Sequence, residues 1–129
     1  MATITAAWTE NQTGVDFDDA SPADTVVATA DIDLASSGYD MVVAQIIFTF
    51  DGSATDYVDI NLYYDVNSGS NPSDIADYSI RVDAEAGATK EINLTIENTP
   101  YVTIAFDNES NQEITGLDLV YAGRKWSSA

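Results

Sequence analysis

Carboxylates are the most abundant ionisable groups of this chain. It has 22 acidic residues against 4 basic ones, a net charge of −18, and neither histidine nor cysteine. Without histidine, a Ser-His-Asp or Cys-His catalytic arrangement cannot form within the chain, and the commonest transition-metal ligand is missing. What remains is carboxylate chemistry, namely oxygen ligands for calcium or a pair of acids for glycoside hydrolysis.

Several acidic clusters have spacings that fit one of these chemistries. Asp16, Asp18 and Asp19 are the calcium candidates, while Asp31 and Asp33 are expected on one strand face, at a separation that suits a catalytic pair. None of them matches the calcium-loop signature, and a chain so rich in acids produces clusters by chance. We therefore expect no enzyme and no cofactor, with calcium as the open alternative. Further clusters are Asp56 with Asp59 and Asp107-Asn108-Glu109.

Along the segments that carry many of these acidic groups, apolar and polar residues alternate. In the segment 57–65, Val58, Ile60, Leu62 and Tyr64 share one face. A period of two is typical of a β-strand with one packed face and one wet face. The same pattern predicts strands at residues 2–8, 25–34, 41–50, 57–65, 76–82, 90–97, 101–107 and 114–122.

Turn-rich sequences separate these strands, and no helical period lies between them, which favours a sandwich over an α/β fold. The predicted fold is all-β, a single antiparallel β-sandwich over residues 1–129, jelly-roll-like, with about eight strands. Residues 1–23 are predicted to form an N-terminal strand followed by a loop or arm. Segment 41–50 is apolar on both faces, and Val43 and Ile47 lie opposite its core face, which indicates a central strand or an interface.

The charge excludes two classes of partner. A surface with so few bases repels the phosphates of nucleic acids, whose binding needs Lys and Arg, and it repels anionic lipids in the same way. We therefore expect neither a nucleic-acid partner nor a membrane partner. The first residues show no signal-peptide pattern and no apolar run approaches a membrane span, so we expect synthesis in a cytoplasm.

Two groups of side chains are candidates for binding. Arg124, Lys125 and Trp126 follow the last predicted strand as a basic-aromatic tail, which either docks on a neighbouring copy or partner or folds back on its own acidic surface. Exposed aromatic rings are also the stacking platforms of sugar-binding sandwiches, or else they cap the edges of the core. The aromatic candidates are Trp8, Tyr57, Tyr63 and Trp126.

Short motifs follow one another in a recognisable order along the chain, namely Asp33-Leu34, Gly38-Tyr39-Asp40, the segment 56–63, Pro100-Tyr101-Val102 and the segment 121–126. This order resembles that of small β-sandwich proteins encoded among the structural genes of tailed bacteriophages. In that group the last strand often ends in a tail similar to Tyr-Arg-Arg-Trp, whereas here Ala-Gly separates Tyr121 from Arg124. The resemblance covers most of residues 25–126.

This resemblance implies a non-enzymatic virion protein, most simply a decoration or cement protein on the capsid exterior, made in the host cytoplasm. The implied partners are the major capsid protein and other copies of the chain, as a trimer. Arg124, Lys125, Trp126, Val43 and Ile47 are then the interface candidates. A tail- or fibre-associated protein and a carbohydrate-binding module are the alternatives.

Overall fold

The alternating segments form strands of an all-β fold, as predicted. The computed structural model describes the backbone of residues 4–8, 12–13, 20–21, 25–65 and 75–128, and the side chains of residue 8 and of residues 31–65 and 75–126. One helical turn, α1 (Leu34–Ser37), accompanies the strands. The strands are β1 (Ile4–Trp8), β2 (Gln12–Thr13), β3 (Ala20–Ser21), β4 (Thr25–Asp33), β5 (Met41–Thr49), β6 (Tyr57–Asp65), β7 (Tyr78–Asp83), β8 (Thr89–Glu97), β9 (Tyr101–Asn108) and β10 (Ile114–Ser128).

The strands make two antiparallel sheets. Sheet A has the order β1-β10-β5-β8, with the short β2 and β3 also paired to β10, and sheet B has the order β4-β9-β6-β7. Apart from β6 and β7, which are neighbours in sheet B, each long strand lies in the opposite sheet from the long strand before it. This arrangement of eight long strands is that of a jelly roll. The prediction of an antiparallel, jelly-roll-like β-sandwich is confirmed.

The core lies between the sheets and is built by the predicted alternation. On β5, Val42, Ala44, Ile46 and Phe48 are buried, and on β6 Val58, Ile60 and Leu62 are buried opposite them in the other sheet. Strand β5 is central in sheet A, between β10 and β8. Its second apolar face, which carries Val43 and Ile47, is the outer face of sheet A. Strand β5 is therefore a central strand, which is one of the two interpretations of its doubly apolar pattern.

Strand β10 continues six residues beyond the end that the sequence pattern predicts. The alternation of apolar residues stops near Ala122, so local pattern gives no reason to continue. The continuation is instead stabilised by pairing with other strands. Arg124 lies opposite both Met41 of β5 and Trp8 of β1, and the residues after it pair with β1. The basic-aromatic tail is therefore part of a strand that pairs with β1.

Two further segments differ from the prediction. The strand predicted to run through Leu34 ends at Asp33, whose carboxylate accepts a hydrogen bond of 2.9 Å from the Ser36 backbone N–H and caps α1. Gly38 ends the turn with φ of 76°, in the left-handed region that glycine tolerates. Strands β2 and β3 lie within the predicted N-terminal loop or arm. Within the described part of the chain, none of the helical structure has the length and apolarity to cross a membrane.

Candidate functional site

Exposed aromatic rings meet a cation on the outer face of sheet A. Even-numbered residues of β10 point outward from Asp118 onward, since Leu117 and Leu119 are buried in the core. Residues opposite one another on paired strands share a face, so Trp8 and Arg124 lie side by side. Trp126 is two residues further along β10, and Val43 lies opposite Ala122 on β5. We call Trp8, Asp40, Val43, Arg124 and Trp126 the aromatic patch.

Asp40 holds the aromatic patch together. Its carboxylate accepts hydrogen bonds from Arg124 Nε (3.1 Å) and Nη2 (2.6 Å), and Trp126 Nε1 donates to it at 2.8 Å. The Arg124 guanidinium also lies 5.4 Å from the centre of the Trp126 ring and 5.8 Å from that of Trp8. Hydrogen bonds from Arg124 first, and from Trp126 second, lower the pKa of Asp40 to about 2. The carboxylate is therefore charged throughout the neutral range, and both partners are held in place.

The aromatic patch is accessible despite these contacts. Trp8 is 50% exposed, Trp126 55% and Val43 39%. A guanidinium that is already paired and a Trp126 indole held by its hydrogen bond to Asp40 present apolar area with little freedom of movement. Such a surface loses little conformational entropy when a partner covers it.

The structure brings together some of the predicted interface residues and separates others. Arg124, Trp126 and Val43 are neighbours in the aromatic patch. Lys125 points to the other side of β10, where its Nζ lies 5.4 Å from the centre of the Tyr39 ring. Ile47 lies six residues along β5 from Met41, the partner of Arg124, which corresponds to roughly 20 Å. Asp40 was not among the predicted site residues, although it stands in the Gly38-Tyr39-Asp40 turn, one of the segments that carry the resemblance to phage structural proteins.

A shallow hollow of about 290 Å³ lies next to the aromatic patch on the same face. Gln45 donates a hydrogen bond to Glu91 and a longer one, of 3.3 Å, to the side-chain oxygen of Asn93. The hollow therefore has amide and carboxylate groups at one end and the indoles of the aromatic patch beyond the other. Outward-facing residues that line it are Val43, Gln45, Asn93, Thr95, Val120 and Ala122.

The tyrosines proposed as sugar platforms lie on the opposite side of the molecule. Tyr57 and Tyr63 are on the outer face of sheet B, and both are partly buried. The Arg81 guanidinium covers the Tyr57 ring at 3.6 Å from its centre, and it also bonds to Asp59 (Nε to Oδ1, 2.9 Å). One face of Tyr57 is therefore already occupied.

The predicted acidic pair of Asp31 and Asp33 has structural partners. Asp31 accepts a hydrogen bond of 2.8 Å from the Thr103 hydroxyl, and Asp33 caps α1. The calcium candidates Asp16, Asp18 and Asp19 lie outside the described residues. Among the side chains that the structure does describe, no three acidic residues are grouped to hold a metal ion. Calcium binding therefore stays an untested alternative.

Asp107 differs from the other acidic residues because two further carboxylates lie close to it. It lies opposite Asp59 on β6, and Glu109 is close by. Burial, contact with Glu109 and the charge of Asp59, in that order, raise the pKa of Asp107 to about 6. Its Oδ1 is buried and has no hydrogen-bond partner among the described residues. At neutral pH the fold therefore carries an unfavourable charge at this position.

Replacing Asp107 by asparagine is expected to raise the melting temperature at about pH 7.5 and to have little effect near pH 4.5. The folded-state pKa of about 6 lies above the ordinary value of 3.8, so the folded chain binds the proton more tightly than the unfolded chain. This group consequently favours folding below its unfolded pKa, and the contribution is lost as the pH rises through about 6. Thermal melts of both proteins across this pH range measure the difference. An equal shift at both pH values would contradict the assignment.

The fold defines the chain as a jelly-roll β-sandwich protein, and comparison with known proteins adds no family to this class. No family model matches the sequence, and no curated protein matches it either. The chain is similar to a solved structure described under "Bacillus endospore appendages form a novel family of disulfide-linked pili". The two are 18% identical, the match covers 97% of this chain and 91% of that chain, and the TM-score is 0.40. A structure described under "CBM4 structure and function" is 12% identical, with 99% and 78% covered and a TM-score of 0.41.

A third similar structure is the enzymatically active domain of tailspike protein 4 of bacteriophage CBA120. It is 14% identical over 99% of this chain and 19% of that chain, with a TM-score of 0.39. These likenesses concern the β-rich fold and nothing finer. The function of the chain must therefore be argued from its own residues.

Proposed function

We propose that this chain is a non-enzymatic structural protein of a virion, a decoration or cement protein on the capsid exterior. The observation that carries the proposal is the aromatic patch, an exposed and internally braced Trp8-Arg124-Trp126 cluster on an otherwise strongly acidic chain. Tryptophan and arginine are the residues most often found as energetic anchors of protein interfaces. The resemblance to phage structural proteins, whose last strand ends in similar residues, supports the same assignment.

Charge favours the aromatic patch as the contact surface. The chain has four basic residues, and one of them, Arg124, lies within this patch, while Lys125 follows it on the other face of β10. A protein with a net charge of −18 repels acidic surfaces elsewhere, so an approach through its least negative region costs least. The partners proposed on this basis are the major capsid protein and two further copies of the chain in a trimer.

Copy number in purified particles tests the virion assignment. We expect quantitative mass spectrometry to find this chain in a fixed, simple ratio to the major shell protein. A few copies per particle would instead assign it to the tail or to a fibre. Its absence from particles would overturn the virion assignment altogether.

Replacing Trp126 by alanine is expected to weaken binding to shells that lack the protein by about 30-fold or more, since interface anchors of this kind contribute about 2 kcal/mol or more. Binding is measured by co-sedimentation of the purified variant with such shells. Tyr63→Ala is the matched control, because it removes an aromatic side chain from the outer face of sheet B. Melting temperatures of both variants show whether either loss reflects unfolding. Equal binding by the two variants would contradict the role of the patch.

Carbohydrate binding is the second candidate, and one specific observation favours it. The half-exposed indoles of the aromatic patch lie on the same face of sheet A as a hollow lined by Gln45 and Asn93, so that stacking surfaces and amide groups share one surface. Titration with a glycan that binds there is expected to give a saturable change in tryptophan fluorescence. Gln45→Ala is expected to weaken the binding of that glycan. A chain that ignores a panel of glycans but binds shells would exclude this candidate.

A further inference from the structure

The two sheets end together on one side of the sandwich. Strand β8 is the last strand of sheet A, and β7 is the last of sheet B, among the strands that the structure describes. A strand at the edge of a sheet directs alternate backbone N–H and C=O groups away from its partner, and a further strand can pair with them. We call this side of the molecule the open edge.

Strand β8 is the described edge strand with the least protection against such pairing. It pairs with β5 over nine consecutive residues without a bulge. The edge strands β1 and β7 are shorter, at five and six residues, and β4 has an irregularity between Val26 and Ala28. One basic residue, Lys90, points inward at the start of β8, where its charge protects the edge against pairing, and it forms a salt bridge with Glu85. From Ile92 to Glu97 the strand has no lysine, proline or glycine.

A groove of about 520 Å³ runs along the open edge between β7 and β8. Its apolar surface comes from both sheets, with Leu94 on β8 at 8% exposure and Leu62 and Ile80 on the other side. The rings of Tyr64 and Tyr78 pack together at a centroid distance of 5.2 Å, and Tyr78 is 59% exposed. The groove can therefore receive apolar side chains that alternate along an added strand.

The rim of the groove is negatively charged. Glu97 lines it, and Asp77 bonds to the Tyr64 backbone N–H at 2.7 Å. Burial raises the pKa of Tyr64, and the charges of Asp77 and Glu97 add to that effect. No basic residue is among those that line the groove or its continuation past Asn98 and Pro100. Glu91 adds a second exposed carboxylate on the outward face of β8.

We infer that the free edge of β8 binds an extended segment of a partner protein in which basic and apolar residues alternate. The backbone of that segment adds to sheet A as a further strand. Its apolar side chains enter the groove over Leu94 and Tyr78, and its lysine or arginine side chains lie opposite Glu91 and Glu97. A second copy is a poor occupant because the chain has only four basic residues, and no segment of it alternates several of them with apolar residues.

This inference does not depend on the proposed function, since the open edge and the aromatic patch are different surfaces. The probe is a capped peptide of alternating lysine and valine, nine residues long to match β8, added to the full ¹⁵N-labelled chain. We expect saturable shifts in the amide signals of Ile92 to Glu97, slower hydrogen exchange there, and shifts of the Tyr78 ring signals. A peptide of the same composition with lysines and valines in pairs is expected to bind at least about threefold more weakly, because it cannot direct its apolar side chains to one face.

Charge-reversal variants test the predicted pairing. Glu97→Lys is expected to lower the affinity for the alternating peptide by about three- to tenfold. Glu113→Lys changes the net charge equally at an exposed position away from the groove and is expected to change binding by less than about twofold. Equal effects of the two variants, or equal binding of the two peptides, would overturn the inference in favour of general charge attraction. Shifts at Ile92 to Glu97 that depend on protein concentration without peptide would also overturn it and identify a second copy as the occupant.

Discussion

Replacing Phe48 by alanine is expected to lower the free energy of unfolding by about 3–5 kcal/mol. Phe48 is fully buried on β5, and its ring meets that of Phe106 on β9 edge-on, at a centroid distance of 5.1 Å. A second edge-on contact, of 5.4 Å, joins it to Phe50. Because β5 and β9 belong to different sheets, this ring links the two halves of the sandwich. Its removal leaves a cavity that the surrounding strands cannot fill.

Urea denaturation followed by tryptophan fluorescence measures this loss. Val43→Ala is the control on the same strand, since Val43 points outward and is partly exposed, and we expect it to cost less than about 1 kcal/mol. If Phe48→Ala does not fold, Phe48→Leu retains most of the volume and is expected to cost about 1–2 kcal/mol. A Phe48→Ala protein as stable as Val43→Ala would show that this ring does not join the sheets.

Replacing Gly123 by alanine is expected to cost about 1–3 kcal/mol, although alanine is otherwise the better residue within a strand. Gly123 is buried on β10, and the Tyr39 ring packs directly against it. A Cβ atom at this position would lie 2.5 Å from Cγ and from Cε1 of that ring. Carbon atoms in favourable contact are about 3.5–4.0 Å apart, so the ring must move. Because Tyr39 precedes Asp40, this movement is also expected to loosen the Asp40 bonds to Arg124 and Trp126.

Double-mutant analysis separates this clash from a general effect of alanine. In a Tyr39→Ala background the obstructing ring is gone, and Gly123→Ala is expected to be neutral or stabilising. Gly52→Ala is the control in the wild-type background, because nothing lies within 4 Å of a Cβ atom there. Urea denaturation gives the stabilities, and Trp126 fluorescence reports on the aromatic patch. A Gly123→Ala cost that persists unchanged without the Tyr39 ring would contradict the proposed contact.

The strands were predictable because their signal is local. Val58, Ile60 and Leu62 alternate with polar residues whatever the rest of the chain does, and all three are buried as that pattern requires. The same reasoning located β5 and β8 to within one residue at each end. Two sheets and a jelly-roll order were then the expected arrangement for about eight such strands.

The candidate site was predictable only in part. Trp8, Arg124 and Trp126 were recognised individually from their residue types, but they come from opposite ends of the chain. Their contact depends on the pairing of β1 with β10, which no short stretch of sequence encodes. Asp40 was passed over as a site residue for the same reason, since an acid in a turn acquires its role only when Arg124 and Trp126 are brought to it.

Composition and residue order alone exclude histidine and cysteine chemistry and indicate which faces of the strands are buried. The absence of histidine and cysteine and the period of two are properties of composition and order alone. The end of β10, the aromatic rings that share a surface, and the described strands that end each sheet became known only from the folded chain. These features depend on pairing between distant strands, and the free energy of that pairing depends on the partner strand as much as on the segment itself.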